Sequence, residues 1–341
     1  MKPRLKKIKD QVIVITGATS GIGLVTARMA AKRGARLVLA ARSQDALHQL
    51  MSEIEQGGGK AIHVVADVGK REEVHEILLA AQGAFGGFDT WVNNAGVSIY
   101  GKLEDVPVDD MRHLFETNFW GLVYGSLEAA RHLKGRVGGG ALINIGSTLS
   151  DRAIPLQGMY CASKHAVKGF TDTLRMELEE AGAPVSVTLI KPGAIDTPYT
   201  RHAKNYLEVE PMNPPPIYAP ETVARAILHC AEMPECAVFV GGGGKGTSML
   251  GQYMPRLTDI IMESLLFRQQ KSDRPPRPRE HNALDRPSGQ LDERGGYQGH
   301  VAESSLYTNA SLHPVLTGVA LIGAGLVVSS LWRGRPNERS L

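Results

Sequence analysis

Three residues, Ser147, Tyr160 and Lys164, have the types and spacing needed to move a proton on or off an oxygen atom. Tyr160 and Lys164 are four positions apart, so on a helix their side chains project from the same face. A free phenol ionises at about pH 10. An ammonium group one helical turn away favours the phenolate and is expected to lower the pKa of Tyr160. Because such pairs also occur on solvated helix faces, the surrounding elements decide the interpretation.

Ser147 follows an apolar run at 141–145 that predicts a buried strand. Ligands of α/β proteins bind at the carboxyl ends of such strands. The hydroxyl group of Ser147, thirteen residues before Tyr160, is therefore expected to face a ligand. We interpret the three residues as one site for acid–base chemistry on an oxygen atom.

A glycine-rich turn lies near the start of the chain. The β-branched run at 12–15 predicts a strand, Gly17, Gly21 and Gly23 form the turn, and residues 24–30 have a helical pattern. Strand, glycine turn and helix in this order are the context of a dinucleotide site, in which the pyrophosphate binds at the helix amino terminus. The alternative is an ordinary glycine-rich turn between a strand and a helix.

The glycine spacing is Gly-x-x-x-Gly-x-Gly, and it is followed in order by Asn93-Asn94-Ala95-Gly96, Asn118, the Ser147/Tyr160/Lys164 set and Pro192-Gly193. From about Gln11 to Gly244 the chain thereby resembles the short-chain dehydrogenase/reductase family. Its glycine spacing departs from that usual in the extended branch of epimerases and dehydratases, which favours simple carbonyl/alcohol redox chemistry. Strand and helix patterns alternate up to Gly241, which predicts a single α/β domain with a Rossmann-type, doubly wound parallel sheet.

The resemblance implies a role for each motif residue. Tyr160 would be the general acid or base, and Ser147 would hydrogen-bond the reacting oxygen. Lys164 would lower the pKa of Tyr160 and hold the nicotinamide ribose, and Asn118 would anchor a water relay to Lys164. We assign no metal site. Besides Tyr160 and Lys164, the implied cofactor contacts follow three strands: Gly17, Thr19, Ser20, Gly21, Ile22, Gly23, Asn93, Asn94, Ala95, Gly96, Pro192, Gly193, Ile195 and Thr197.

The end of the second strand indicates which dinucleotide binds. An acidic residue about twenty positions after the glycines would bind the ribose 2′-hydroxyl, but Ala41 and Arg42 stand there. A guanidinium pairs well with a 2′-phosphate, so we expect NADP(H) to be preferred over NAD(H). Arg42 could instead be a solvated surface charge. Asp67 and Val68 resemble the family's adenine-contacting pair, although Asp67 could equally cap the end of a strand.

Composition limits the possible partners. The chain has 341 residues, 38 basic and 35 acidic side chains and a net charge of +3, a balance that argues against a nucleic-acid partner. Its three cysteines have no paired spacing, which favours reduced thiols. A basic tail occupies residues 1–10, and the catalytic domain is predicted at 11–245. A homodimer or homotetramer remains open.

Two segments follow the region of resemblance. Residues 246–270 carry apolar side chains at helical intervals, which predicts amphipathic helices that cover the substrate cleft, lie on a membrane surface or complete the core. Residues 271–311 are rich in Pro, Arg, Gly and Asp, a composition typical of a flexible, extended linker.

A membrane anchor is predicted near the carboxyl end. Residues 312–332 include an uncharged apolar run at 315–332 that, as a helix, spans roughly 27 Å, about the thickness of a hydrocarbon core. A buried or oligomer-forming helix is the alternative. The basic tail at 333–341 would place the carboxyl end in the cytoplasm by the positive-inside rule. The dinucleotide requires instead a cytoplasmic catalytic domain, and we give this argument more weight.

Together these features predict a membrane-tethered oxidoreductase that transfers a hydride between NADP(H) and a carbonyl or secondary alcohol. The tether favours a lipophilic ketone or aldehyde as substrate. Two alternatives remain open. One is the same chemistry on a soluble polyol or sugar, and the other is a non-catalytic NADP-binding sensor or scaffold at the membrane.

Overall fold

A computed structural model describes residues 3–314 and residue 317. Its strands, in chain order, are β1 (Val12–Thr16), β2 (Arg36–Ala41), β3 (Lys60–Val65), β4 (Thr90–Asn93), β5 (Ile99–Tyr100), β6 (Gly140–Ile145), β7 (Val185–Pro192), β8 (Ala194–Ile195), β9 (Lys204–Asn205), β10 (Ile217–Tyr218), β11 (Ala237–Val240) and β12 (Val301–Ala302). Its α-helices are α1 (Gly21–Lys32), α2 (Gln44–Gln56), α3 (Arg71–Phe85), α4 (Val108–Phe115), α5 (Gly121–Lys134), α6 (Gly158–Glu180), α7 (Tyr199–His202), α8 (Pro220–Cys230), α9 (Gly242–Tyr253), α10 (Pro255–Gln269) and α11 (Leu306–Leu312).

The main sheet has seven parallel strands in the order β11-β7-β6-β4-β1-β2-β3. The strand order reverses between β1 and β4, and a crevice opens beyond the carboxyl ends of strands at such a point. The glycine turn follows β1 and the segment Asn94-Ala95-Gly96 follows β4, so both border this crevice. The predicted doubly wound parallel sheet is confirmed.

Helices cover both faces of the sheet because alternate residues of each strand point to opposite sides. On one face, Ile13 and Ile15 of β1 pack in a buried cluster with residues of α1, α2 and α8. On the other face, Val12 and Val14 pack with residues of α3, α5 and α6. Burial on both faces explains why these strands appear in the sequence as continuous apolar runs.

The segment after the main sheet departs from the predicted extended linker. Residues 282–297, which we call the strap, cross the carboxyl edge of the sheet, and β12 follows them. There β12 pairs with β10, which pairs in turn with β8, in a separate three-stranded sheet. Composition favoured a linker because Pro, Arg and Asp rarely form a core. In the structure these polar residues instead make ion pairs and backbone hydrogen bonds with the catalytic domain.

The predicted membrane anchor at 312–332 lies outside the described residues apart from 312–314 and 317. Within residues 3–314 and 317, no helix is both long and apolar enough to span a bilayer. The predicted amphipathic segment 246–270 does form helices, α9 and α10. Four side chains of α10, those of Ile261, Met262, Leu265 and Leu266, line the cavity described below.

Candidate active site

A cavity of about 450 Å³ lies at the carboxyl edge of the main sheet. It brings together most of the residues predicted from sequence: Gly17, Ser20, Gly21, Ile22, Asn94, Ala95, Gly96, Ser147, Tyr160, Lys164, Pro192, Gly193, Ile195 and Thr197. Among the described residues, its wall does not include Thr19, Gly23, Arg42, Asp67, Val68, Asn93 or Asn118. One continuous space therefore joins Ser147, Tyr160 and Lys164 to the glycine turn.

The glycine turn has a backbone that only glycine tolerates well. Gly17 and Gly21 adopt φ angles of +64° and +50°. A Cβ atom on Gly23 would lie 2.2 Å from the carbonyl oxygen of Gly17. Asn94, which follows β4, stabilises the turn, because its Nδ2 donates to the carbonyl oxygens of Thr16 at 3.0 Å and Gly17 at 3.1 Å. The turn therefore brings the backbone close to the amino end of α1, where amides bind anionic groups.

Tyr160 and Ser147 meet at the wall of the cavity. Tyr160 lies in the first turn of α6, and Ser147 follows β6 and caps a short 3₁₀ helix, its Oγ accepting from the amide of Leu149 at 3.0 Å. Burial raises the pKa of Tyr160 to about 12, and hydrogen bonds with the hydroxyls of Ser147 and Tyr199 only partly oppose this rise. Tyr160 is therefore protonated at neutral pH.

Lys164 is buried, with 4% of its surface exposed. Its Nζ donates to the carbonyl oxygen of Ile145 at 2.8 Å and lies 5.6 Å from the centre of the Tyr160 ring. Burial lowers the pKa of Lys164 to about 8. The expectation that the pKa of Tyr160 is lowered is thus wrong, because burial raises it. The four-residue spacing predicted proximity correctly, but burial of both side chains dominates their ionisation.

A second tyrosine, which the sequence did not single out for chemistry, stands beside Tyr160. The two rings of Tyr160 and Tyr199 are in an edge-to-face arrangement with centroids 5.3 Å apart. The hydroxyl of Tyr199 donates to Oε1 of Gln157 at 2.7 Å and accepts from Oγ of Ser98 at 2.8 Å. Tyr199 follows the Thr197-Pro198 pair directly, but nothing in the sequence connects it to a residue 39 positions earlier.

Gln157 connects Tyr199 to the C-terminal extension, by which we mean the residues that follow Lys245. It immediately precedes α6, and Leu156 before it adopts a φ of +67°, a left-handed conformation that costs a leucine free energy. Nε2 of Gln157 donates to Oε1 of Gln270 at 2.7 Å, and Nε2 of Gln270 donates to the carbonyl oxygen of Pro155 at 3.0 Å. Gln270 is fully buried at the end of α10. These bonds hold α10 against the loop that leads into α6.

Two asparagines predicted at the site have buried partners. Asn93 was expected to line the cofactor channel, which is wrong because its amide is used inside the protein, donating to Asn144 at 2.9 Å and Ser126 at 3.0 Å. Asn118 lies in a π-helical turn, Glu116–Trp120, and its side chain bonds the backbone N–H and C=O of Val97 at 2.8 and 2.9 Å. Its role in a water relay stays a prediction.

The residues predicted for the adenosine end lie beyond the cavity. Oδ1 of Asp67 accepts from the amide of Gly69 at 3.0 Å, as the strand-end cap hypothesis required, and its contact with adenine stays a prediction. The guanidinium of Arg42 donates to the carbonyl oxygens of three strap residues, Ala283, Leu284 and Arg286. Arg42 is therefore held by the protein and is not a solvated charge.

Comparison with known proteins identifies the class. The family described as short chain dehydrogenase matches residues 11–207. The chain belongs to this family and is an oxidoreductase. It is 50% identical over 327 residues, 96% of its own length and 91% of the relative's, to "Uncharacterized oxidoreductase YxnA" of Bacillus subtilis (strain 168). This similarity extends well past residue 207 and so includes most of the C-terminal extension.

Two further proteins show what similar chains bind or act on. The chain is 37% identical over 198 residues to "11-beta-hydroxysteroid dehydrogenase A" of Arachis hypogaea, covering 58% of this chain and 55% of that protein. It also resembles the structure of an alcohol dehydrogenase from Thermococcus sibiricus complexed with 5-hydroxy-NADP, with 28% identity, a TM-score of 0.59 and coverage of 67% of this chain and 95% of the other. Other similar structures hold NAD or NADH.

Proposed function

We propose that this oxidoreductase reduces a lipophilic ketone or aldehyde with NADPH. The observation that carries the proposal is the single cavity in which Ser147, Tyr160 and Lys164 face the glycine turn. The turn fits a dinucleotide pyrophosphate, because the missing side chain of Gly23 lets the backbone close tightly and α1 begins at its edge. A complete acid–base set also disfavours the non-catalytic sensor or scaffold.

The residues of the site have separate tasks in this reaction. A bound nicotinamide supplies or accepts the hydride. Tyr160, whose pKa of about 12 keeps it protonated, donates its proton to the carbonyl oxygen in the reductive direction. Ser147 stabilises the charge that develops on that oxygen by hydrogen bonding. Lys164 would hold the ribose hydroxyls, and its positive charge would stabilise the phenolate left on Tyr160.

The preference for NADPH rests on the end of β2. Ala41 offers no carboxylate to bind a 2′-hydroxyl or to repel a 2′-phosphate, and Arg42 follows it. Titration of the Arg42→Ala variant with both dinucleotides tests this preference. We expect a tenfold to hundredfold loss of affinity for NADPH, as for a charge-assisted bond of about 1.5–3 kcal/mol, and little change for NADH. Equal losses for both cofactors would remove Arg42 as the selector.

The preference for a lipophilic substrate rests on the cavity wall. Beyond the acid–base residues the wall is largely apolar, with side chains from the loop after β6 and from α10: Leu149, Ile154, Ile261, Met262, Leu265 and Leu266. A polyol or sugar would need more hydrogen-bonding groups than these side chains offer. The similarity to a plant protein named as a hydroxysteroid dehydrogenase supports the same substrate class.

A membrane tether at 312–332 belongs to the same proposal, with the catalytic domain in the cytoplasm. The tether would keep the cavity near substrates that dissolve in lipid. Fractionation of cells that express the full chain, or a chain ending at Pro314 that keeps β12 and α11, tests it. We expect the full chain to resist extraction by carbonate and salt and the shorter chain to be extracted. A full chain in the soluble fraction would remove both the tether and its argument for a lipophilic substrate.

Screening the purified protein with NADPH against carbonyl compounds tests the activity. The panel runs from small aldehydes and sugars to steroid, retinoid and acyl ketones, with Tyr160→Phe as the matched control. We expect turnover of lipophilic carbonyls that this variant lacks. Faster turnover of sugars or polyols would overturn the substrate class, and turnover that survives in the variant would overturn the assigned chemistry.

A further inference from the structure

We propose that the strap, residues 282–297, is part of the dinucleotide site and must open whenever the cofactor enters or leaves. The proposal rests on the proposed function only in that a dinucleotide binds between the glycine turn and Arg42. Three groups of contacts carry it. They are the contacts of the strap with the amino end of α1, its contacts with Arg42, and the anchors that hold it on both sides.

The strap contacts the amino end of α1 directly. The amide of Gly21, the first residue of α1, donates to the carbonyl oxygen of Asp292 at 2.8 Å. Amides at the start of a helix are the groups that bind phosphate. In the structure a strap carbonyl therefore takes one of the donors of this helix end. Two ion pairs fix this part of the strap, Asp292 with Arg201 of α7 and Glu293 with Arg28 further along α1.

Arg42 is under the strap as well. Its Nη1 donates to the carbonyl oxygen of Leu284 at 3.3 Å, and its Nη2 donates to the carbonyl oxygens of Ala283 and Arg286. The strap thus bonds to both groups expected to hold phosphates, the amino end of α1 and the guanidinium near the ribose. Because the strap contacts both groups, it extends over the space between them.

Anchors on either side of the groove hold the strap in this position. At one end the side chain of Leu284 is fully buried in a cluster with Val97, Ile99, Val106 and Leu114. At the other end, Arg294 pairs with Glu221 of α8 at 2.9 Å and with Glu303 at 2.8 Å. Because both ends are fixed to the catalytic domain, the strap is held across the space between the glycine turn and Arg42.

The strap also fits closely against a residue implied in cofactor binding. A Cβ atom on Gly295 would lie 2.3 Å from the carbonyl oxygen of Thr197, and Oδ1 of Asp196 accepts from the amides of Gly295 and Tyr297, each at 3.1 Å. These contacts hold this end of the strap against the catalytic domain, and the bonds to Gly21 and Arg42 hold the rest of it against the groups expected to bind phosphates. Both the entry and the release of the dinucleotide must therefore break strap contacts.

Stopped-flow measurement of NADPH binding and release by the full-length protein tests this inference. Leu284→Ala removes the buried anchor, and we expect the association and dissociation rate constants both to rise at least tenfold. Arg294→Gln removes the ionic anchor and should raise both severalfold. Leu306→Ala is the matched control, because Leu306 belongs to the same extension but is 87% exposed, and both its rate constants should equal those of the wild type.

Circular dichroism establishes whether each variant is folded. If Leu284→Ala does not fold, the rate constants of Arg294→Gln decide the test. Association and dissociation rate constants that stay within twofold of the wild type in the folded variants would overturn the proposal. A faster dissociation with unchanged association would also overturn it, because the strap would then only add contacts to a cofactor already bound. A wild-type protein that binds no dinucleotide contradicts the proposed function itself, which separates the two failures.

Discussion

Replacing Lys164 with methionine should stabilise the protein at pH 7 in the absence of cofactor, even though the variant loses its activity. The ammonium of Lys164 is buried, and its pKa falls from the ordinary 10.5 to about 8. That fall corresponds to a cost of about 3 kcal/mol whenever the side chain is charged in both folded and unfolded protein. Methionine has a similar length and carries no charge.

The gain is smaller than this cost because one hydrogen bond is also lost. The carbonyl oxygen of Ile145, which accepts from Nζ of Lys164 at 2.8 Å, is left without that donor, at a cost of about 1–2 kcal/mol. A net stabilisation of about 1–2 kcal/mol remains. For a protein of this size we expect the Tm to rise by about 2–4 °C.

The dependence on pH gives the sharper test. Below pH 8 the lysine is charged in both states and the full cost is present. Between pH 8 and 10.5 the folded protein releases the proton first, so the wild type gains stability as the pH rises. The advantage of the methionine variant in Tm should therefore shrink by more than half between pH 7 and about pH 9.5, as calculated from the same pKa difference.

Thermal unfolding at the two pH values, followed by circular dichroism without cofactor, measures this difference. Lys168→Met is the matched control, because Lys168 is one turn further along α6 and half-exposed and pairs with Asp172. It should gain nothing at either pH. A Lys164→Met variant less stable than the wild type at pH 7, or an advantage independent of pH, would refute the claim that the buried ammonium is costly.

Three further predictions concern the site. Tyr160→Phe should keep cofactor affinity while turnover of a confirmed substrate falls by at least about 10²–10⁴-fold, since the proton donor is lost; single-turnover kinetics measure the fall, and near-normal turnover would contradict the role. Gly23→Ala should abolish dinucleotide binding by titration, because its Cβ would lie 2.2 Å from the carbonyl oxygen of Gly17; normal affinity would show that the turn adapts. Gln270→Leu leaves Nε2 of Gln157 without its acceptor, and we expect a loss of about 1–3 kcal/mol in unfolding free energy together with a raised KM; an unchanged KM would show that α10 does not help to shape the substrate site.

The sequence was sufficient to predict the main sheet and most of the cavity wall. Strands such as β1 and β6 are buried on both faces, so they appear as apolar runs that end at the motif residues. Ends of parallel strands meet at one edge of the sheet, which brings Gly17, Asn94 and Ser147 together although they are far apart in the chain. Apolar runs in the sequence and the topology of a parallel sheet are therefore enough to predict that these residues lie close together.

Other features depend on burial and on pairings between distant segments. The four-residue spacing of Tyr160 and Lys164 predicts proximity but not desolvation, so it gave the wrong direction for the pKa of Tyr160. The strap has the composition of a linker because its contacts are mostly ion pairs and backbone hydrogen bonds rather than a stripe of apolar residues. The pair of Gln157 and Gln270, 113 residues apart, leaves no periodic pattern in the sequence.

The small sheet of β8, β10 and β12 has a consequence for the order in which the protein matures. The loop that begins after β8 carries Thr197 and Tyr199, yet the outermost strand of its sheet is residues Val301–Ala302, more than a hundred positions later. Chains fold from the amino terminus as they leave the ribosome. The seven-stranded sheet can therefore assemble early, whereas the wall beside Tyr160 is completed only after residues 301–302 have been synthesised. A nascent chain would therefore contain the main sheet of a dehydrogenase before the wall of its cavity is complete.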